Sequence, residues 1–173
     1  MTPISKKVCL LGDFAVGKTS LVRRFVYDLF DEKYISTIGV KVSRKTVGVS
    51  RVDDVVELTM MLWDLGGGEE FHQVRASYLR GAAGAVLVCD LTRSETLDQL
   101  RTCADELLSI SPGAELILAA NKCDLTDQQR LTPAQIEAVA ADLDAPCYVT
   151  SAKTGEEVET LFRHLGRLLV APS

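Results

Sequence analysis

The sequence has few side chains that could hold a structural metal or form cross-links. It contains two histidines, His72 and His164, and five cysteines, and no pair of cysteines has the close spacing of a zinc site. The cysteines are odd in number and far apart, which argues against a disulfide framework. We therefore expect no structural zinc, and we expect reduced core thiols of a cytoplasmic protein at five positions: Cys9, Cys89, Cys103, Cys123 and Cys147.

The chain also lacks an excess of basic charge and any long apolar run. A net charge of -5 with 25% charged residues is typical of a soluble globular protein, and it argues against a DNA or RNA partner. The apolar run behind the basic N-terminus covers only residues 8–11, which is too short for a signal peptide. No run approaches the ~20 residues that span a bilayer. The last residues, 170–173, include no cysteine, so no lipid anchor is expected.

One short stretch fits a phosphate-binding pattern. Residues 12–19 match G-x-x-x-x-G-K-[ST] and lie between a strand-like apolar run and a helix-like run. Gly12 and Gly17 would let backbone N–H groups point at a polyphosphate, and the following helix would add the positive end of its dipole. Lys18 would reach the outer phosphates, and the Thr19 hydroxyl would bind Mg²⁺. The motif predicts a nucleoside triphosphate without specifying the base.

The rest of the sequence alternates between strand-like and helix-like segments. This pattern predicts an α/β fold, with one domain over residues 1–173 that contains a six-stranded, mostly parallel sheet with one antiparallel strand and about five helices. Residues 40–50 and 55–63 are β-rich and predict an antiparallel hairpin. Apolar central strands, covered on both faces, are predicted at residues 85–90 and 116–120, with a last strand at 147–150. Ligands of such sheets bind beyond the carboxyl ends of the strands.

Helices are predicted over residues 18–27 and where apolar residues recur at helical spacing, around 97–108 and 158–169. Capping boxes are predicted ahead of the latter two, at residues 92–95 and 154–157. Thr132 and Pro133 predict the N-cap and first residue of another helix. Residues 28–39 fit neither period and predict a long loop. The glycines at 66–68 predict a place where the backbone approaches a ligand or moves.

Residues 121–124, Asn-Lys-Cys-Asp, follow a predicted central strand and indicate the base. Guanine presents two N–H donors, at N1 and the 2-amino group, which a carboxylate such as Asp124 accepts together, whereas adenine has no such pair. Asn121 could tie the loops together or meet the base edge, and the stem of Lys122 could cover a ring face. Combined with the phosphate loop and with residues 151–153 downstream, this motif predicts a guanine nucleotide.

With these motifs the sequence resembles the Ras superfamily of small GTPases, and within it the Rab branch. The resemblance covers nearly the whole chain. Five motifs occur in the family order, at residues 12–19, 34–39, 63–67, 121–124 and 150–155. It implies a molecular switch in which GTP and Mg²⁺ order loops 30–40 and 64–80, hydrolysis to GDP releases them, and protein effectors and regulators bind the ordered form.

The resemblance also implies roles for individual residues. Phe30 would stack edge-on against the guanine, Ala152 would offer its N–H to the guanine oxygen, and the Gly67 N–H would contact the γ-phosphate. The nucleotide-binding set would be Ala15, Val16, Gly17, Lys18, Thr19, Ser20, Phe30, Tyr34, Thr37, Gly67, Asn121, Lys122, Asp124, Ser151, Ala152 and Lys153. The Mg²⁺ set would be Thr19, Thr37 and Asp64, and the positions involved in catalysis would be Lys18, Thr37, Gly67 and Gly68.

Two departures from the family pattern bear on hydrolysis. The family usually has Gln directly after Asp-x-x-Gly, where it orients the attacking water, and here Gly68 has no side chain to do so. Phe14 and Ala15 stand where the Rab pattern tends to have small residues and a Gly. A bulky Phe14 could obstruct an arginine supplied by a partner, a contribution of about 10³ to 10⁵ in rate. We expect slow hydrolysis and weak or absent stimulation by a Rab-type activator.

Four residues after Gly68 could orient the water if the loop folds differently: Glu69, Glu70, His72 and Gln73. His72 and Gln73 are the better candidates because their side chains can both donate and accept hydrogen bonds.

The sequence is also compatible with other functions. Gly68 and Phe14 would suit a protein that binds GTP, hydrolyses almost none of it and acts as a fixed effector-binding module. A GTPase domain of a longer Roc-type protein is a further alternative: the start at Met1 argues against it and the ending at residues 171–173 argues for it. A P-loop kinase is disfavoured because the sequence shows no acceptor site or lid and because it would not explain residues 121–124.

Overall fold

A central sheet organises the chain. The computed structural model describes residues 3–30, 39–66 and 75–171. The strands are β1 (Ile4–Gly12), β2 (Val40–Ser50), β3 (Val55–Leu65), β4 (Gly84–Asp90), β5 (Glu115–Asn121) and β6 (Cys147–Val149). They form one six-stranded sheet in the order β2-β3-β1-β4-β5-β6, in which only the β2–β3 pairing is antiparallel. The predicted mostly parallel sheet is therefore confirmed.

Helices cover both faces of this sheet. They are α1 (Lys18–Tyr27), α2 (Arg75–Leu79), α3 (Glu95–Ile110), α4 (Pro133–Asp142) and α5 (Val158–Val170), and a 3₁₀ turn spans Thr126–Gln128. α1 and α5 pack on one face, and α2, α3 and α4 pack on the other. The number of helices within the described residues matches the prediction, although α2 was not itself predicted. None of these helices is long and apolar enough to cross a membrane.

The strands follow the predicted burial patterns, with small differences at their ends. Leu58, Met60 and Leu62 point to one side of β3 and are fully buried. β3 continues to Leu65, two residues beyond the predicted end at Trp63, because the antiparallel ladder extends to the pair Val40–Leu65. β4 is buried along its whole length, as expected for a central strand covered on both faces.

The two capping boxes predicted at residues 92–95 and 154–157 are wrong. At α3 the N-cap residue is Ser94, which makes no side-chain cap bond, and the Thr92 hydroxyl donates instead to Asp90 Oδ1 at 2.7 Å. At α5 the N-cap residue is Glu157, in the left-handed conformation, and the Thr154 hydroxyl accepts a backbone N–H of its own turn at 3.2 Å. A side-chain cap needs an extended N-cap residue, and neither of these positions is extended.

α4 begins as predicted. Thr132 is extended and precedes Pro133, its Oγ1 accepts the Gln135 N–H at 3.2 Å, and Gln135 Oε1 accepts the Thr132 N–H at 2.8 Å. This reciprocal pair satisfies two backbone donors at the start of the helix.

All five cysteines are free thiols. Cys9, Cys89 and Cys103 are buried in the core on the α3 face. Burial raises the pKa of Cys9 to about 11 and the pKa of Cys89 to about 12. Both side chains therefore stay protonated at neutral pH and behave as small apolar residues.

Candidate functional site

The segments that follow four parallel strands meet at one edge of the sheet. β1 ends at Gly12, β3 at Leu65, β4 at Asp90 and β5 at Asn121. The pairing aligns Gly12 with Val88 and Asp90 with Asn121, so the loops after β1, β4 and β5 start side by side. This edge is where an α/β sheet of this type binds its ligand.

Both glycines of the phosphate loop lie so close to atoms of β4 or of Asn121, at the end of β5, that a side chain would not fit. Gly12 has a φ of +150°, and a Cβ there would lie 2.3 Å from the Val88 carbonyl oxygen. Gly17 has a φ of +103°, and its Cβ would lie 2.3 Å from Asn121 Nδ2. A side chain at either position would therefore push the loop away from β4 or from the end of β5.

Lys18 lies against the start of the same loop. Its side chain is buried, and Nζ donates to the carbonyl oxygens of Gly12 and Asp13, each at 3.0 Å. These contacts use two of the three N–H bonds of the ammonium group. Burial lowers the pKa of Lys18, and the Asp64 carboxylate opposes that shift. The loop therefore contains a desolvated cation next to its own backbone.

Three side chains hold three successive carbonyl groups of the loop. Arg93 Nη2 donates to the Phe14 carbonyl at 2.5 Å, Lys122 Nζ to that of Ala15 at 2.9 Å and Asn121 Nδ2 to that of Val16 at 3.0 Å. In a trans peptide the C=O and the next N–H point in opposite directions. The N–H groups of residues 15–17 therefore point away from these side chains, where they can bind an anion.

The first turn of α1 adds further backbone donors. Its N-cap, Gly17, makes no side-chain cap bond, and the turn that includes Thr19 and Ser20 contains no acidic residue. The N–H groups at the start of a helix have no intrahelical partner and carry the positive end of the helix dipole. This end of α1 favours an anion.

Asn121 joins three segments. Besides its bond to Val16, its Oδ1 accepts the Thr150 hydroxyl at 3.1 Å, and its side chain is buried. Of the two roles that the sequence left open for Asn121, the structure shows that of tying the loops together. Lys122 Nζ lies 2.9 Å from Asp90 Oδ2 as well as from the Ala15 carbonyl.

The loop after β6 positions the predicted base-recognition groups. Asp124 Oδ1 accepts the Ser151 hydroxyl at 2.7 Å, and Ser151 Oγ accepts the Thr154 N–H at 3.1 Å. The Ser151 carbonyl accepts the Gly155 N–H at 2.8 Å, which fixes the peptide between residues 151 and 152. The N–H of Ala152 consequently points away from the Gly155 turn.

Arg24, on α1, connects this loop to the helix that follows the phosphate loop. Its Nε donates to the Ala152 carbonyl at 2.9 Å and its Nη2 to the Lys153 carbonyl at 2.5 Å. Its Nη1 also pairs with Asp28 at 3.0 Å. One guanidinium thus fixes two successive peptides of the loop.

Replacing Arg24 by alanine is expected to lower the free energy of unfolding by about 2 kcal/mol, since charged hydrogen bonds to two carbonyl groups are lost. Urea denaturation measures this difference. Arg23→Ala is the matched control, because Arg23 lies in the same helix and makes no hydrogen bond to this loop among the described residues. Equal stability of the two variants would contradict the role of Arg24.

A hydroxyl and a carboxylate meet beside the phosphate loop. The Thr19 hydroxyl donates to Asp64 Oδ2, and Asp64 is buried at the end of β3. The two residues are 45 positions apart in sequence. Oxygen donors of these two kinds are those that Mg²⁺ uses in proteins.

Part of the predicted site lies outside the described residues. Tyr34, Thr37, Gly67 and Gly68 belong to this part, as do His72 and Gln73, the candidates for orienting water. Phe30 is described and packs, partly buried, against the core between α1, α5 and the sheet. Its contact with a base stays a prediction, and so do the roles of the residues outside the described ranges.

Sequence reasoning missed four residues of this site. Arg24, Asp90 and Arg93 lie outside the predicted binding set, yet they hold the loops that carry it. The sequence around these residues does not indicate their role, because each of them contacts a segment that is distant along the chain. Thr150, which lies within a family motif but was not predicted to be a site residue, supports Asn121.

The sheet order, the phosphate loop after β1 and the Asn-Lys-x-Asp motif after β5 define a P-loop nucleotide-binding protein. The family model described as "Ras: Ras family" matches residues 7–171. Ras-related protein Rab-31 of Rattus norvegicus is 38% identical over 163 residues, covering 93% of this chain and 81% of that protein. GTP-binding protein ypt5 of Schizosaccharomyces pombe is 38% identical over 168 residues, covering 96% and 78% respectively. Ras-related protein Rab-13 of Bos taurus is 32% identical over 168 residues, covering 96% and 81%.

The chain belongs to the Ras family of small GTPases, and these relatives place it with the Rab branch.

Proposed function

We propose that this protein is a guanine-nucleotide-dependent switch that binds GTP and GDP with Mg²⁺ and hydrolyses GTP slowly. The observation that carries the proposal is the bond from Asn121 to the Val16 carbonyl at 3.0 Å, together with the Thr150 bond at 3.1 Å. These contacts join the phosphate loop and the base-recognition loops into one unit. A ligand with phosphates at one end and guanine at the other matches that unit.

The residues present fit Mg²⁺. Thr19 and Asp64 bring a hydroxyl and a buried carboxylate together, and the family pattern adds Thr37. When bound, the ion neutralises charge on the β- and γ-phosphates. Lys18 contributes a fixed positive charge to the same phosphates, and the N–H groups of residues 15–17 bind their oxygens.

Hydrolysis breaks the bond between the γ-phosphorus and the bridging oxygen as water adds to the γ-phosphorus, giving GDP and phosphate. Positioned charges and N–H donors stabilise the charge that develops on these oxygens. This chain has Gly68 where the family usually has a Gln that orients the water. We therefore expect turnover to be slow.

Effectors and regulators are proposed to bind loops 30–40 and 64–80. The described ends of the two loops are joined, because the Gly66 N–H donates to the Gly39 carbonyl at 2.8 Å. A change in one loop therefore acts directly on the start of the other, which supports a shared response to the nucleotide.

The acidic net charge of -5 supports protein partners over nucleic acid. The five free thiols support a reducing, cytoplasmic setting.

The test of the proposal is single-turnover hydrolysis. Purified protein is loaded with GTP by exchange, Mg²⁺ is added, and bound GTP and GDP are separated by chromatography over several hours. Decay of GTP to GDP supports the switch. Intact GTP throughout favours the alternative of a fixed effector-binding module, which Gly68 and Phe14 support. Failure to retain any guanine nucleotide contradicts both.

Introducing Gln at position 68 is expected to accelerate this single turnover by about 100-fold. This is the lower end of the about 10² to 10⁴ that a side chain contributes by transferring a proton, because a Gln amide orients the water without taking its proton. Gly113→Gln is the matched control, because it adds the same side chain at a position where a Cβ would have no described atom within 4 Å. A fast wild-type rate that Gly68→Gln leaves unchanged, and that is lost on replacing His72 or Gln73, would show that the loop orients water without Gln.

A further inference from the structure

Asp90 is a buried carboxylate outside all five family motifs. It ends β4, its side chain is 1% exposed, and its Oδ1 accepts the N–H and the hydroxyl of Thr92 at 2.9 and 2.7 Å. Its Oδ2 lies 2.9 Å from Lys122 Nζ and 3.1 Å from Arg93 Nε. Burial acts to raise the pKa of Asp90, but Lys122 and Thr92 outweigh it and hold the pKa below its ordinary value. The group is an ionised anchor for two cations.

Each of these cations also reaches the phosphate loop. Lys122 holds the Ala15 carbonyl at 2.9 Å, and Arg93 holds the Phe14 carbonyl at 2.5 Å. Arg93 makes its two contacts with different nitrogen atoms, Nε to Asp90 and Nη2 to Phe14. The planar guanidinium can therefore bridge the carboxylate and the carbonyl in one fixed geometry.

The Phe14–Ala15 peptide is the first of the three peptides that are held in this way. Asn121 and Lys122 hold the next two and belong to a family motif, whereas Arg93 does not. Because the peptide is planar, the bond to the Phe14 carbonyl also sets the direction of the Ala15 N–H. Ala15 has a φ of +60°, which a residue with a Cβ adopts only under constraint.

We infer that Arg93 is a positioning residue for the phosphate loop: anchored on Asp90, it holds the Phe14 carbonyl so that the Ala15 N–H faces the nucleotide phosphates. The inference rests on the proposed function, since it requires that the loop bind a nucleotide. It assigns to Arg93 a contribution to phosphate affinity and none to base recognition.

The experiment measures the dissociation constants of GDP and GMP by competition with a fluorescent GDP analogue, with Mg²⁺ present. Arg93→Ala is expected to weaken the binding of GDP by about tenfold, the scale of one charged hydrogen bond. The binding of GMP, which lacks the β-phosphate, should weaken by less than about threefold because fewer phosphate oxygens of GMP contact the loop. Arg93→Lys keeps the charge but reaches one partner at a time, so it should restore part of the GDP affinity.

Arg101→Ala is the control. It removes an arginine that pairs with Asp142 at 2.5 Å on the surface between α3 and α4, away from the loop. Urea denaturation of each variant without added nucleotide reports folding separately. Unchanged GDP affinity in Arg93→Ala, or an equal loss for GDP and GMP, would overturn the inference. If the wild-type protein binds neither nucleotide, the proposed function fails and the inference fails with it.

Discussion

Gly12→Ala is expected to lower the free energy of unfolding by about 4 kcal/mol, from strain at a left-handed φ and from overpacking. The new Cβ would lie 2.3 Å from the Val88 carbonyl oxygen and 3.2 Å from Val16 Cγ2. The first of these atoms belongs to the backbone of a central strand, which cannot move without disturbing the sheet. The change is a large part of the about 5–15 kcal/mol that stabilises a typical domain.

Urea denaturation measures this effect, with Gly113→Ala as the control. A Cβ at Gly113 would have no described atom within 4 Å, so alanine there should change stability by less than about 0.5 kcal/mol. Overpacking alone costs about 1 kcal/mol or more. A Gly12→Ala protein whose free energy of unfolding lies within about 1 kcal/mol of that of the Gly113→Ala control would therefore contradict the role of Gly12.

Asp124→Asn is expected to reduce the affinity for GDP by about 30- to 1,000-fold, from the loss of about 2–4 kcal/mol of charged hydrogen bonding. The amide offers one oxygen, and its NH₂ group would face the 2-amino group of guanine, donor against donor. Xanthine has an oxygen at that position, so the same variant should gain affinity for xanthosine diphosphate. Competition with both diphosphates against a fluorescent nucleotide measures this change of preference.

Ser151→Ala separates the effect on the base from an effect on the loop. Asp124 accepts the Ser151 hydroxyl at 2.7 Å, so alanine removes a support of the carboxylate and keeps its charge. Ser151→Ala should lower the affinity for GDP by about tenfold or less. It should still bind xanthosine diphosphate more weakly than GDP. An Asp124→Asn protein that loses both diphosphates equally would argue that Asp124 holds the loop and does not meet the base.

The fold could be predicted where burial repeats along a short stretch. β4 and β5 have 7 residues each and the two hairpin strands β2 and β3 have 11 each, so each pattern lies within one strand, and these predictions are confirmed. The capping boxes at residues 92–95 and 154–157 failed because the backbone conformation at Ser94 and Glu157 decides whether a cap forms. α2, with five residues, was too short to show a period.

The sequence by itself determined the class of chemistry, because the motifs that carry it are local. Residues 12–19 combine a strand end, a turn and polar groups at fixed spacing, and they indicate phosphate. Residues 121–124 indicate guanine when they occur together with residues 12–19 and 151–153.

Tertiary structure alone decided what holds these motifs in place. Arg93 and the Phe14 carbonyl are 79 residues apart, and Arg24 and the Ala152 carbonyl are 128 residues apart. Such contacts depend on which strand lies beside which, here on β4 lying between β1 and β5. An arginine bonded to a distant carbonyl has no periodic pattern, since its partner is backbone and places no requirement on residue type.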